Sequence, residues 1–588
     1  MQKSFPLRSG EFEALRTLSI EQGIALPFTS GPIPEAELRH AMDRIDTGAL
    51  SEAGRTTWDW LRESLSPRED YAEEGGRFRF EAGAEFTLET YLHTDPDNGY
   101  MEYRWEDRAP VARFPLEFWF GRQAYAIFDL SVQKNIPDFN LYPTYSSSSQ
   151  YGFDEYSTDE EDPWTNVPYV ISTIDVQFPH RAFLSAGGER WNARIGRDQV
   201  DWGNGHTGNL YISDYADWYD SLQFSTFWDR FKFSWIWASL DGKLMNDERE
   251  FTEYTVGWDT SNPLDGIADT YVDPGNGSPR IVTYTPDIEQ KNLIAQRWEM
   301  RVRDRLGLVY TEGIILGRTQ VELRHLNPLY HYHNLYTNTQ NVGNAHRSFE
   351  FNYAVAPGFS FYAAMSPDQW SSPLEPETDI GEEPNAVAYL AGIDYRRGIS
   401  DGYLHAIVEG VYATPWFGIH NSPLTSITTR RFIMAEHGVE RAQIWYDKPI
   451  GHYGGNDFAL LWMDVSYGVA GRYRYGLNGF YEGDGSVPMN ALLQSKVSDD
   501  LRDVLSLDDA SLSAPSDGYD GSLAQWRTAV TVYGEMEPWN LAGFNNPATR
   551  RTLSVSSELS AQWMKNRYHQ EHDWQFDLQW AMSTTIGL

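Results

Sequence analysis

Between Arg190 and Asp214 the chain gathers side chains that could hold a polyhydroxylated ligand. Arg194, Arg197 and Asp198 are followed by Trp202, His206 and Tyr211, with glycines at 203, 205 and 208. Guanidinium and carboxylate groups form charge-assisted hydrogen bonds to hydroxyls or uronate carboxylates, and an indole or phenol ring gives a sugar face an apolar platform. The glycines permit a tight path through φ > 0. The same residues also have an architectural reading, in which Arg197 and Asp198 pair internally to fix a turn that occludes a lumen, with Trp202 as packing.

A second group surrounds the Asn327-Pro328 turn: His325, His331 and His333, with Asn327 and Asn334. In an extended segment His331 and His333 share a face and could share a metal or a sugar hydroxyl. No third ligand is apparent and there is no HExxH helix, so satisfied interior histidines are expected and no metal site is assigned. The acidic run Asp154, Glu155, Asp159, Glu160, Glu161 and Asp162 does not have the order of an EF-hand and reads as a solvated loop.

Enzyme signatures are missing. The chain has no G-x-S-x-G elbow, P-loop or dinucleotide fingerprint. With no Cys, thiol catalysis and disulfides are excluded, and the 84 acidic residues make some close carboxylate pair inevitable without making it a glycosidase. A non-enzymatic protein that requires no cofactor is expected. The formal charge of −37 argues against nucleic acid as a partner, since phosphate binding needs a basic face.

The elements that must position these residues are strands. From Trp574 to Leu588 every second residue is apolar or Thr (Phe576, Leu578, Trp580, Met582, Thr584, Ile586), and between them lie Gln575, Asp577, Gln579, Ala581, Ser583, Thr585 and Gly587. Such a strand has one apolar and one polar face and exceeds the usual soluble length of about 5–6 residues; a bilayer-crossing strand needs roughly 9–11. Alternation also runs through Phe78 to Leu92, Phe231 to Trp237, Trp298 to Val302, Leu461 to Val469 and Leu553 to Trp563. Short turns at Trp228 to Arg230, Asp304 to Arg305 and Ala356 to Gly358 alternate with long polar connections. Aromatics at 15% fit the girdles of a membrane barrel. The expected fold is an all-β, transmembrane, antiparallel β-barrel of about 16–20 strands, centred on 18, spanning residues 71–588 with long acidic extracellular loops.

Residues 1–70 read differently. Phe12, Leu15 and Leu18 have helical spacing that stops at Gly23; Pro34 opens a second segment with Leu38, Ala41, Met42 and Ile45 on one face; Ser51 to Leu65 makes a third. A small N-terminal periplasmic helical bundle is expected. Met1 to Phe5 lacks the apolar core of a signal peptide, so this numbering is expected to be that of a mature or trimmed chain.

The segment Gly196-Arg197-Asp198, then Trp202-Gly203-Asn204-Gly205, then Leu210-Tyr211-Ile212-Ser213-Asp214 resembles the "GRD-x-x-x-W-G-x-G" stretch of the Wzi-type capsule assembly family. The helical start with Gly23 and Pro34, the Leu323 to Leu329 element and the Gly454-Gly455-Asn456-Asp457 turn agree with it. The resemblance implies an outer-membrane barrel lectin in the bacterial cell envelope that retains capsular or exopolysaccharide glycan and performs no chemistry on it. Arg194, Arg197, Asp198, Trp202, His206, Tyr211, His325 and Asn327 are then the expected glycan contacts. Outer-membrane lipid and lipopolysaccharide-type lipid are the other expected partners, and a monomer the expected state. The alternative is a porin-like channel that passes cations or small solutes through an acidic lumen.

Overall fold

The computed structural model describes residues 2–65, 78–95, 98, 100–103, 108–134, 144–146, 164–168, 174–175, 177–243, 269–272, 279–282, 290–317, 321–332, 343–369, 386–420, 423–437, 440–485, 487, 489, 523–537 and 552–588. The acidic run at 154–162, His333 and Asn334 lie outside them.

Eighteen antiparallel strands close into one barrel. Strand β1 runs in two pieces, Arg79–Ala82 and Glu85–His93, both paired to β2 (Ala112–Phe120). There follow β3 (Ala124–Val132), β4 (Arg181–Gly187), β5 (Trp191–Asp198), β6 (Tyr219–Phe227) and β7 (Phe231–Leu240). The wall continues with β8 (Lys291–Val302), β9 (Leu306–Gly317), β10 (Gly343–Ala356), β11 (Phe359–Gln369), β12 (Ala386–Ile399) and β13 (Gly402–Ala413). It is completed by β14 (Phe458–Val469), β15 (Tyr473–Asp484), β16 (Gln525–Met536), β17 (Thr552–Lys565) and β18 (Gln575–Gly587). The last strand returns to the first, with Gly587 opposite Glu85 and Gln579 opposite His93. Leu588 and Ala84 exchange backbone hydrogen bonds of 2.8 and 3.3 Å at the seam. Closure leaves no open edge in the barrel wall, as hydrocarbon requires.

Burial is inverted relative to a soluble protein. Along β1 and β18 the apolar Phe86, Leu88, Leu92, Phe576, Leu578, Met582 and Ile586 are exposed, whereas Thr87, Glu89, Asp577 and Gln579 are buried. The apolar face meets lipid and the polar face lines the lumen, as period two predicts. No helix among the described residues is long and apolar enough to cross a membrane.

Three helices precede the barrel: α1 (Gly10–Gln22), α2 (Glu35–Met42) and α3 (Glu52–Ser64). Ser9 caps α1 by accepting from Phe12 N at 3.3 Å, and Gly23 ends it at φ 65°, the left-handed position where glycine is favoured. Phe12, Leu15, Leu18, Leu38 and Leu61 form their common core. The helices cover the short-turn end of the barrel. Ala25 N donates to Asp304 O at 2.7 Å and Gly358 N to Ile20 O at 2.7 Å, at two of the turns anticipated from sequence. A Cβ on Gly23 would approach Pro357 N to 2.8 Å, so this residue serves the docking as well as the cap.

Candidate functional site

The connection from β5 to β6 starts at the long-loop end and folds into the lumen. At its deepest point Asp201 and Trp202 form a two-residue antiparallel ladder with Gly31 and Ser30, which rise from the helical end. Two segments entering from opposite ends therefore meet inside the wall. Gly203 N donates to Thr29 O at 3.0 Å, Trp202 N to Ile212 O at 3.0 Å and Ser213 N to Ile450 O at 2.8 Å. Gly203 (φ 146°) and Gly208 (φ 143°) give the path its turns; a Cβ on Gly203 would lie 2.1 Å from Asn209 Oδ1. Asn209 ties the loop to itself, accepting from Gly205 N at 2.9 Å and donating to Asp201 Oδ1 at 2.5 Å.

The plug is fastened to lumen-facing charges. Glu299 on β8 accepts from Thr29 N at 2.8 Å and Ser30 Oγ at 2.6 Å. Arg297 beside it reaches Thr29 Oγ1 at 2.9 Å and Glu350 Oε2 at 3.0 Å, and Lys232 bridges Ser30 O at 2.9 Å and Glu37 at 2.8 Å. On the far side Glu409 receives His206 N and Thr207 N, each at 2.8 Å, and the Tyr362 hydroxyl at 2.6 Å. Asp394 gathers Arg396 at 2.8 Å with Arg16 and His206, both at 3.3 Å. Buried carboxylates and guanidiniums are stable only when paired and hydrogen-bonded, and these are.

Burial next to Asp214 pushes the Asp201 carboxyl up to about 7. Asp214 itself pairs with Arg8 at 2.9 Å.

The residues singled out by sequence divide into three environments. Arg194, Asp198, Trp202 and Tyr211 are buried. Asp198 pairs with Arg181 at 2.8 Å and Arg194 at 3.4 Å, not with Arg197, and Arg194 also reaches Ser4 Oγ at 2.6 Å. Trp202 lies near-parallel to Tyr211 (12°, centroids 6.5 Å apart), which stacks on His346 of β10 with centroids 4.2 Å apart, so both rings are buried between plug and wall. His206 stacks at 21° on Trp462 and lines a cavity below the plug.

Arg197 lies at the odd positions of β5 shared with exposed Trp191 and Ile195, hence on the outer face at the long-loop rim. It forks onto Asp220 at 2.9 and 2.7 Å and sits 5.0 Å over the Trp218 ring. His325 and Asn327 lie on a separate connection between β9 and β10. His325 is buried, and burial holds its imidazole below its ordinary pKa; its Nδ1 accepts from Glu322 N at 2.9 Å. Asn327 is exposed and its side chain accepts from Leu329 N at 3.1 Å. His331 pairs with Glu312 at 2.8 Å. No group of three or more His, Asp or Glu side chains that could hold a metal ion is found among the described residues.

Sequence reasoning passed over Arg297, Glu299, Glu350, Asp394, Arg396 and Glu409. Strand parity was the available signal: Arg297, Glu299 and Arg301 alternate with Trp298, Met300 and Val302, so charges occupy the lumen face of a strand whose other face is apolar.

A barrel of eighteen strands, capped by three helices and filled by a loop that meets the N-terminal segment, defines the fold closely. It is similar to that of Wzi. This outer-membrane protein of Escherichia coli, involved in group 1 capsule assembly and described as a carbohydrate-binding β-barrel, matches at a TM-score of 0.55 and 12% identity, over 100% of this chain and 99% of Wzi. OprD of Pseudomonas aeruginosa matches at a TM-score of 0.37 and 8% identity over 88% of this chain and 97% of its own. OccAB4 of Acinetobacter baumannii matches at 0.34 and 10%, over 86% and 98%. No protein-family profile matches the chain, and comparison with curated proteins gives no match.

Proposed function

We propose that this protein is a bacterial outer-membrane barrel that retains capsular or exopolysaccharide glycan at the cell surface, without chemistry and as a monomer. The observation that carries this reading is the pairing, inside the barrel, of the loop from β5 to β6 with the N-terminal segment through Trp202 and Ser30. A solute channel needs a continuous aqueous path, whereas a retention protein needs a stable scaffold for its outer loops. The whole-length likeness to Wzi in fold supports the same choice.

On this reading Arg194, Asp198, Trp202 and Tyr211 act by holding the plug. Arg197 and Asn327, at the long-loop end, are the members of the expected set that we assign to glycan contact. The helices then cover the periplasmic end, and the acidic loops face outward.

The test is capture of the source organism's surface polysaccharide by the detergent-solubilised full chain, beside planar-bilayer conductance. Capture without steady conductance is expected. Steady conductance without capture would make the protein a pore and overturn the proposal.

A further inference from the structure

A cavity of about 530 Å³ lies between α1, α3 and the wall formed by β12 to β17. Trp60, Gly471 and Glu535 to Glu537 line it at the short-turn end, and Gly203, Gly205 and His206 of the plug line it on the inner side. The volume is within the range of about 300–1,000 Å³ in which small ligands are held. Its lining residues belong to the helical half of the barrel and the plug.

Its chemistry is unusual for this chain. Five arginines, among them Arg16, Arg396 and Arg474, stand with four carboxylates, among them Glu13, Glu535 and Glu537, so the lining is nearly balanced in a protein of formal charge −37. A lining of both signs, whose arginines are already paired with Asp214, Asp394, Asp401 and Asp464, offers donors and acceptors side by side, which match hydroxyls, since each hydroxyl both donates and accepts. The walls also carry Phe12, Ile407, Val469 and the half-buried indole of Trp60, apolar surface of the kind on which sugar C–H faces rest. The buried arginines, Arg16 and Arg396, are held by Asp394 at 3.3 and 2.8 Å and form a rigid base.

We infer that this cavity is a second saccharide site, taking the end of a neutral oligosaccharide from the helical side of the barrel. It rests on the glycan reading above but is separate from the outer-loop contacts. Ser554, on the lumen face of β17 at the cavity margin, gives a way to fill the site without removing a packing residue.

The full chain in detergent is titrated with maltotriose and with trigalacturonate, read by tryptophan fluorescence and calorimetry. Ser554→Trp and the Glu535→Gln/Glu537→Gln double variant are run beside it, each first verified as a heat-modifiable barrel. Saturable maltotriose binding that Ser554→Trp weakens by about tenfold or more, with polysaccharide capture unchanged, is expected. The double variant should weaken it less, since amides keep the hydrogen-bonding shape. No saturable maltotriose binding, or binding that a folded Ser554→Trp variant leaves unchanged, overturns the inference. Binding of trigalacturonate alone also overturns it, because the lining would then select anions. Loss of polysaccharide capture in the wild type with maltotriose binding intact would remove the proposed function and leave this site standing.

Discussion

Trp202 and Ser30 are register partners inside the barrel, although one descends from the long-loop end and the other rises from the helices. Their ladder makes the structure inside the lumen a joint property of two distant parts of the sequence. Each can be loosened separately.

Removing Trp202 takes a large side chain from a buried stack. Trp202→Ala should cost roughly 3–5 kcal/mol, as large-to-small changes do in packed cores, and should admit intermittent bilayer conductance. Thermal unfolding of the detergent-solubilised barrel and single-channel recording measure the two effects. A variant as stable and as closed as the wild type would show that the stack does not hold the plug.

Arg197→Ala is expected to behave in the opposite way. Its fork onto Asp220 is at the exposed rim, so its loss should change stability by less than about 1 kcal/mol. Glycan capture should fall while the barrel remains heat-modifiable. Unchanged capture would remove Arg197 from the contact set.

Glu299→Ala strips the acceptor from Thr29 and Ser30 and removes one of the two carboxylates beside Arg297. Breaking a buried charge network from one side costs about 3–5 kcal/mol. Proteolysis should then release the N-terminal segment before the barrel wall is cut, which mass spectrometry of the fragments would detect.

Asp201 supplies a pH test. Its folded pKa, about 7, lies above the ordinary aspartate value of 3.8, so the folded state holds the proton more tightly than the unfolded chain. The associated stabilisation is complete below about 4 and is lost as the pH rises through 7. Unfolding temperature should therefore fall between these limits, and Asp201→Asn, which keeps an oxygen for the Asn209 amide, should flatten that fall and be the more stable protein at pH 8. An identical slope in the two proteins would place the titration elsewhere.

Gly203→Ala and Gly208→Ala probe the loop's path. Both positions have positive φ, and a Cβ on Gly208 would lie 2.9 Å from His452. A cost of about 1–3 kcal/mol each is expected from strain of this kind, measured as a lowered unfolding temperature.

Much of the wall was legible because lipid and lumen impose opposite demands on alternate residues. Phe576 and Asp577 declare their sides by type alone, and the turns at 228–230, 304–305 and 356–358 stand where the period breaks. The helices were legible from spacing, from the stop at Gly23 and from the opening at Pro34. What could not be read was the destination of the Arg190 to Asp214 segment. Its Trp, Arg and Gly residues suit either a ligand or a fold, and the deciding contacts, Ser30 with Trp202 and Glu409 with His206, join residues far apart in sequence. The split of Arg197 from Asp198 was nevertheless written in parity: adjacent strand residues point to opposite faces, so one had to leave the lumen.

The seam between Ala84 and Leu588 bears on manufacture. Since the last residues of the chain supply the partner for the first strand, a polypeptide truncated before Thr584 would lack the pairs to Leu88, Thr87, Phe86 and Glu85. Such a product would expose open backbone on both margins of an incomplete sheet. The four pairs made by residues 584–587 are thereby a condition of a closed wall, and their loss opens the sheet on two margins at once.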